Sequence, residues 1–551
     1  MSRAMSGWGP AVRAAVIGAL LVLVMTAPTL THLTTVGRVD TNDGRFGIWN
    51  IAWIAHALTT DPKHILDANI FYPHTGTLAY SELNLVAGVL GLPWYVVTHN
   101  PLAALNGAVA SALWLAFVLM WALVRRLSES DGAGLVAATA FTFCPYVASK
   151  TAEIQLLMIF VFPLVALAFH RCRERPGVGR AVELGGALAI SALACGYYGL
   201  FAGCALGLLV LVFADRSPRY WGALVVAVVV AAALVFPVYR AFTHAREASG
   251  AVLAPHAEAE VRGYSSHLSD YFASSSAAHD WWLPSLARWK PWVEVLFPGL
   301  GVLLFAAICL AGYAGADVAR RRQTLGYALL AVMAAWASFG PALKLYSILD
   351  AVVPGMSLIR APARFGIVVT FALSVLAGLG VARVSARRRW LPAVLVLLVA
   401  SELGVRTAEW GWPSWPLRVA DPPSVAYRTL ATLPRGVFVE FQFPYVSSNY
   451  HNHATAMFWS TYHWQPMVNG YSDVIPPDFD AIALPINGFP DPASFAIMKE
   501  RQVRYVLWHV DYYQGASRDV LLDRLARFTS NLRPIVQTQD TWLYEIVQWP
   551  E

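Results

Sequence analysis

Long apolar runs alternate with short polar breaks over the first three quarters of the chain. Runs near 20 residues predict helices at 12–33, 102–124, 132–149, 153–170, 180–196, 197–214, 220–239, 295–315, 323–340, 364–383 and 390–406. Each is long enough, or nearly so, to cross a hydrocarbon layer about 30 Å thick. The stretch 182–214 is too long for one span. Its break is expected at Gly196-Tyr197-Tyr198-Gly199, where glycine permits a turn and tyrosine suits an interface. One further apolar run, 83–98, carries Pro93 near its centre.

Charge decides how that run is read. Arg125 and Arg126, then Arg171, Arg173, Arg175 and Arg180, then Arg216 and Arg219, Arg320–Arg322 and Arg387–Arg389 end alternate loops. All of them fall in the cytoplasm only if 83–98 does not cross, so it is read as re-entrant or interfacial. The N-terminus is then cytoplasmic. The loops 34–101 and 240–294, and everything after 406, lie outside. Arg3 and Arg13 before the first run resemble the start of a signal peptide, but the many spans that follow favour an uncleaved helix.

Beyond 406 the pattern changes. Trp410, Trp412, Pro413, Trp415 and Pro416 form an aromatic-proline belt suited to a membrane interface. Strands are expected at 436–443, 503–510 and 541–547, and helices at 492–502 and 517–529. The expected organisation is a polytopic α-helical membrane domain, 1–406, with about eleven transmembrane helices, followed by a small extracytoplasmic α/β domain, 407–551.

Composition agrees. Hydrophobic residues make up 57% and charged residues 13%, against about 45–50% and about 25% in soluble domains. A soluble multidomain enzyme and a disordered chain are excluded. Of 40 basic residues only five are lysine, and no basic stripe forms, which argues against nucleic acid as a partner. The five cysteines lack CxxC spacing, so neither a disulfide framework nor a thiolate metal site is expected. No phosphate-cradling glycine loop of the nucleotide-binding kinds is present.

Candidate chemistry gathers in the outer loops. The first holds Asp40-Thr41-Asn42-Asp43, then the aromatic run 46–53. A helix starting near Asp43 would align Asp43, Gly47 and Asn50 on one face, with Phe46, Trp49 and Trp53 lying against the membrane. A partly desolvated aspartate there could take a hydroxyl proton, although Asp40 or Asp43 could equally cap the helix. Lys150, Glu153 and Gln155 form a second polar group at an outer turn. Arg360 and Arg364 flank Pro362 and offer planar donors to a lipid phosphate. In 240–294, His279 and Asp280 precede Trp281 and Trp282, a mixture that suits sugar binding or an interfacial belt. His451-Asn452-His453 lacks acidic or cysteine partners at metal-ligand spacing.

This arrangement resembles the GT-C superfamily of integral-membrane glycosyltransferases. The strings TNDGRFGIWNIAW (41–53), PGMSLIRAPARFGIVV (354–369), FWSTYHWQPMVNGYSDVIPP (458–477), GFPDP (488–492) and VRYVLWH (503–509) are closest to little-characterised bacterial members. The resemblance implies transfer of a sugar from a polyprenyl-phosphate carrier, usually with inversion, at the outer face of the cytoplasmic membrane. The acceptor is a lipid, a polysaccharide or a protein. It maps the catalytic acidic motif onto Asp40 and Asp43, spaced D-x-x-D, with a divalent cation at that pair as an option. The alternatives are a lipid or glycan transporter or flippase, and a non-catalytic envelope-assembly protein. Span interiors nearly free of charge speak against a two-sided transport path.

Overall fold

The computed structural model describes residues 9–248 and 256–550. Arg3, and residues 249–255 of the second large outer loop, lie outside the described residues. Helices stand at each of the eleven expected positions, with boundaries set by local chemistry. Five described helical stretches are long and apolar enough to cross a membrane: Pro101–Ser128, Asp131–Ser149, Ile154–Glu174, Pro218–Glu247 and Pro362–Ser385. The chain is a multi-pass membrane protein.

The remaining apolar helices are shorter. Pro10–Met25 stops before the expected 33 because Ala27 precedes Pro28, which disfavours helical backbone. Leu300–Ala311 starts five residues later than 295, after Pro298 and Gly299, whose φ of 108° no helix contains. The stretch 182–214 breaks at Cys195, which is extended, and helix resumes at Gly196. Leu85–Thr98, with Pro93 inside, packs against Asn42–Thr60 and Pro101–Ser128.

Arginines from separate loops meet at one end of the bundle. Arg13 and Arg125 both reach Asp131, at 3.6 and 2.6 Å. Arg126 pairs with Glu174, and Arg171 with Glu183 at 2.6 Å. Arg322 donates to the carbonyls of Val212 and Ala214. At the other end, Arg246 donates to the carbonyls of Ala79 and Tyr80, at 2.5 and 2.8 Å. There too the Ala363 N–H reaches the Tyr264 carbonyl.

After residue 417, a short strand Arg418–Val419 pairs antiparallel with Val36–Gly37. A four-stranded sheet follows in the order Val437–Phe441, Val503–His509, Thr541–Ile546, Leu532–Gln537. Its first pair is parallel and the other two are antiparallel. The three expected strands and the helices Pro492–Glu500 and Ala516–Arg527 are all present; the edge strand Leu532–Gln537 was not expected. Its apolar residues are interrupted by Arg533 and Pro534, which suit an edge.

The bundle packs through small residues. Helix Leu300–Ala311 lies so close to Gly366–Ser385 that a methyl on Gly380 would stand 2.0 Å from the Phe305 carbonyl oxygen. Gly380→Ala should therefore cost about 1–3 kcal/mol through forced displacement. Gly222→Ala, whose methyl meets nothing within 4 Å, should not destabilise. Thermal unfolding of the detergent-solubilised protein checks both; equal melting temperatures would sink the packing argument.

Candidate active site

The site is built on the first turn of helix Asn42–Thr60. Thr41 is extended, and its Oγ1 accepts the Gly44 N–H at 3.2 Å, so Thr41 is the N-cap. Neither aspartate is spent on capping. Asp40 is held by Arg38, Nε to Oδ1 at 3.0 Å, and Arg38 in turn donates to Thr151 Oγ1 at 2.6 Å. The Asp43 carboxylate has no hydrogen bond or ion pair among the described residues. Burial, then the nearby charges of Glu153 and Asp473, push its pKa above the ordinary carboxylate value; His451 and Arg360 oppose this.

Those neighbours bring four segments together. Glu153 lies between two cations, 3.5 Å from Arg364 Nη2 and 3.6 Å from Lys150 Nζ. Lys150 also pairs with the buried Glu294 at 2.8 Å. Arg364 lies over the Tyr197 ring, 4.7 Å from its centroid, and its Nε is buried without a partner. Arg360 lies over Tyr264 and is only loosely paired, 3.9 Å from Glu260. Gln155 is half-buried in the turn Ile154–Leu157. Asp43, Glu153, Lys150, Arg360 and Arg364 thus surround one region.

Other expectations are corrected. Trp49 and Trp53 do not lie against a membrane. Trp49 donates to Asn69 Oδ1 at 3.0 Å and Trp53 to the Ile65 carbonyl at 2.9 Å, within a core shared with the C-terminal sheet. Asn50 is wholly buried and neither amide atom finds a partner, so it presents no surface to a substrate. His279 is also wholly buried. Its ring nitrogens meet Ser274 Oγ at 2.6 Å and Glu402 Oε1 at 3.2 Å, which leaves none to bind a sugar. Glu402 also accepts the N–H groups of Leu300 and Gly301, so this cluster clamps helix ends. Asp280 beside it is exposed.

Asp40 is neutralised by Arg38, and no three His, Cys, Asp or Glu side chains converge as a ligand set among the described residues. His453 is buried, facing the Pro444 carbonyl and the Asn469 amide.

Three contributors escaped sequence reading, Glu82, Tyr471 and Asp473, and a fourth, His451, was weighed there only as a metal ligand. Asp473 accepts a hydrogen bond from Ser81, and Tyr471 sets its ring edge against Phe46. Tyr471 and Asp473 sit in the string 458–477, but no spacing rule links them to residue 43. Glu82 accepts the Gly196 N–H at 3.3 Å through Oε1, whereas its buried Oε2 has no partner. Burial raises its pKa to about 7.

That shift has a sign. Above pH 4.5 the unfolded chain ionises Glu82 while the folded chain keeps its proton, so stability falls as pH rises towards 7. Glu82→Gln removes this loss. It should be more stable than the natural chain at pH 8, by up to about 3 kcal/mol, and equal to it near pH 4. Melting curves across that range decide; a gap independent of pH would show that Glu82 is not protonated in the folded chain.

No protein-family model matches the chain, and no curated protein matches it. Solved structures do. The arabinofuranosyltransferase AftD from mycobacteria aligns over 97% of this chain and 41% of its own length, with 14% identity and a TM-score of 0.50. This chain therefore spans less than half of that protein. The Archaeoglobus fulgidus oligosaccharyltransferase, solved with zinc and sulfate, aligns over 96% of this chain and 72% of its own, with 12% identity and a TM-score of 0.47. ArnT from Cupriavidus metallidurans aligns over 97% of both chains, with 14% identity and a TM-score of 0.40. The likeness to AftD shows that this chain shares the fold of that arabinofuranosyltransferase.

Proposed function

We propose that the chain is a membrane glycosyltransferase that moves a sugar from a polyprenyl-phosphate carrier to an acceptor hydroxyl. It works at the outer face of a bacterial cytoplasmic membrane. One observation carries the reading: a carboxylate without a partner, Asp43, made more basic by burial, stands in a region it shares with two arginines. The arginine-rich end of the bundle then faces the cytoplasm, following the bias of basic residues in membrane proteins. Residues 1–406 form the transmembrane domain and residues 407–551 an extracytoplasmic domain that helps bind the acceptor.

In this mechanism Asp43 accepts the proton of the acceptor hydroxyl as its oxygen attacks the anomeric carbon. A new bond from that carbon to the acceptor oxygen forms, and the bond from the carbon to the phosphate oxygen breaks. The electron pair leaves with the polyprenyl phosphate, and the anomeric centre inverts. Arg364, with its unpartnered Nε, and the loosely paired Arg360 stabilise the departing phosphate. A phosphate leaving group needs no acid. Lys150 keeps Glu153 and Glu294 from repelling the donor. Asp40, committed to Arg38, is the weaker candidate for the base.

Purified protein in lipid, given a panel of polyprenyl-phosphate sugars and membrane extract, should release polyprenyl phosphate measurable by mass spectrometry. Asp43→Asn should lower the rate at least about 100-fold, the range for loss of a general base. Asp40→Asn should keep most of it. Arg364→Ala should slow transfer about 10- to 100-fold. The base acts only when ionised, so the rate should rise with pH through a value above the ordinary aspartate range. Release unaffected by Asp43→Asn would overturn the site, and no release with any donor would overturn the activity.

A further inference from the structure

Arg364 is deeply set, its side chain 12% exposed, yet its guanidinium makes no hydrogen bond among the described residues. One face lies over the Tyr197 ring. Its one anionic neighbour within ion-pair range among the described residues is Glu153, whose Oε1 stands 3.5 Å from Nη2. A charge-assisted hydrogen bond spans about 2.7–2.9 Å, so the two groups attract each other without bonding. The other oxygen of Glu153 is equally loose, 3.6 Å from Lys150 Nζ. Lys150 by contrast holds the buried Glu294 at 2.8 Å. Of the two glutamates, Glu294 is committed. Glu153 is shared between two cations and bonded to neither.

Glu153 can change cations without moving the chain. Its N–H donates to the Lys150 carbonyl at 3.0 Å, and its carbonyl accepts the Leu156 N–H at 2.9 Å. The main chain is thus fixed, and only side-chain torsions need to turn. The side chain is 24% exposed, twice the value of Arg364. The Lys150 ammonium has three N–H groups, and Glu294 takes one of them. A buried guanidinium stripped of its anion is costly. Whatever draws Arg364 away from Glu153 must therefore bring negative charge of its own.

We propose that the Glu153 carboxylate competes with the donor's phosphate for Arg364, and that the phosphate, on binding, passes Glu153 to Lys150. The inference rests on the reading of Arg364 as a phosphate-binding residue. Glu153 is then a positioning residue that acts through Arg364. The exchange keeps an anion beside Arg364 at every stage and leaves Glu153 with a cation at both ends of its swing. Glu153 also ties donor binding to the base. Burial, then the charges of Glu153 and Asp473, raise the pKa of Asp43, while His451 and Arg360 lower it. Loss of the Glu153 charge should therefore make Asp43 less basic.

The test measures binding of undecaprenyl phosphate to the full chain in detergent by native mass spectrometry. Glu153→Gln should bind it about three- to fivefold more tightly than the natural chain, the gain from losing a loose ion-pair competitor. Glu153→Ala should show a similar gain. Asp473→Asn removes one negative charge from the same region and has no contact with Arg364 among the described residues, so it should tighten binding less. In the transfer assay Glu153→Gln should lower KM for the donor, and the pH of half-maximal rate should move down. Binding no tighter in either Glu153 variant would overturn this inference and leave the donor site standing. Equal tightening by Asp473→Asn would overturn it too, since charge alone would then explain the gain. No binding by the natural chain, or binding unaffected by Arg364→Ala, would overturn the donor site itself. Melting temperatures run in parallel separate a change at the site from loss of the fold.

Discussion

Helix Asn42–Thr60 is buried on both sides, and the rest of the molecule is arranged around that constraint. Ile48, Ile51, Ala52 and Ala55 belong to the core of the membrane bundle. Trp49, Trp53, Ile54 and Ala57, from the same turns, belong to the core that includes the C-terminal sheet. A helix in this position cannot carry charges along its length, because each would need a buried partner. Its polar groups are therefore confined to the ends, except for Asn50 and for His56, which burial keeps neutral. The Thr41 cap fixes where the helix begins, and so fixes where Asp43 stands.

Electrostatics follow from that placement. The site is not a simple field of one sign. Lys150 and Arg364 are largely compensated by Glu153 and Glu294, and Asp40 by Arg38. Without an ion pair among the described residues are Asp43 and Asp473, and against them stand the loosely held Arg360 and one N–H of Arg364. In a poorly hydrated setting a few unspent groups matter more than the total count. The cluster of His279, Ser274 and Glu402 makes the contrast plain. Its composition is equally suited to chemistry, but its ring nitrogens are occupied and its glutamate holds helix N–H groups.

The helices were legible because each must satisfy one strong rule, an apolar run long enough for the layer, and local breakers such as Pro28 and Gly299 moved only their ends. The strands near 437, 503 and 541 were legible from apolar runs in a region otherwise polar. The aromatic face of 42–60 was misread for a reason that is physical rather than statistical. Tryptophan with a hydrogen-bonded indole suits a membrane interface and an internal interface alike, and the pattern of one helix does not say which neighbour covers it. The site was half legible. Asp43, Glu153, Arg360 and Arg364 stand in loops whose sidedness charge counting could assign. Asp473, His451 and Glu82 reach Asp43 or its neighbours only through tertiary packing, and no periodicity encodes that.

The shared core also limits how a substrate could reach Asp43. Swinging the C-terminal region away from the bundle would expose Trp49, Trp53 and Ile54 among others, at about 1.5–3 kcal/mol for each large side chain. It would also break the pairing of Val36–Gly37 with Arg418–Val419 and the Ser81–Asp473 hydrogen bond. It would, in addition, remove Asp473 and His451 from the groups that set the basicity of Asp43. If Asp43 is the base, as proposed above, opening by that motion would alter it in the act of admitting the substrate. On the side of Arg360 and Glu260 the side chains are 40% and 39% exposed and the ion pair between them is slack. In the proposed mechanism Arg360 is the arginine a charged headgroup would meet first, and Arg364, more deeply set and paired with Glu153, the one that would hold it.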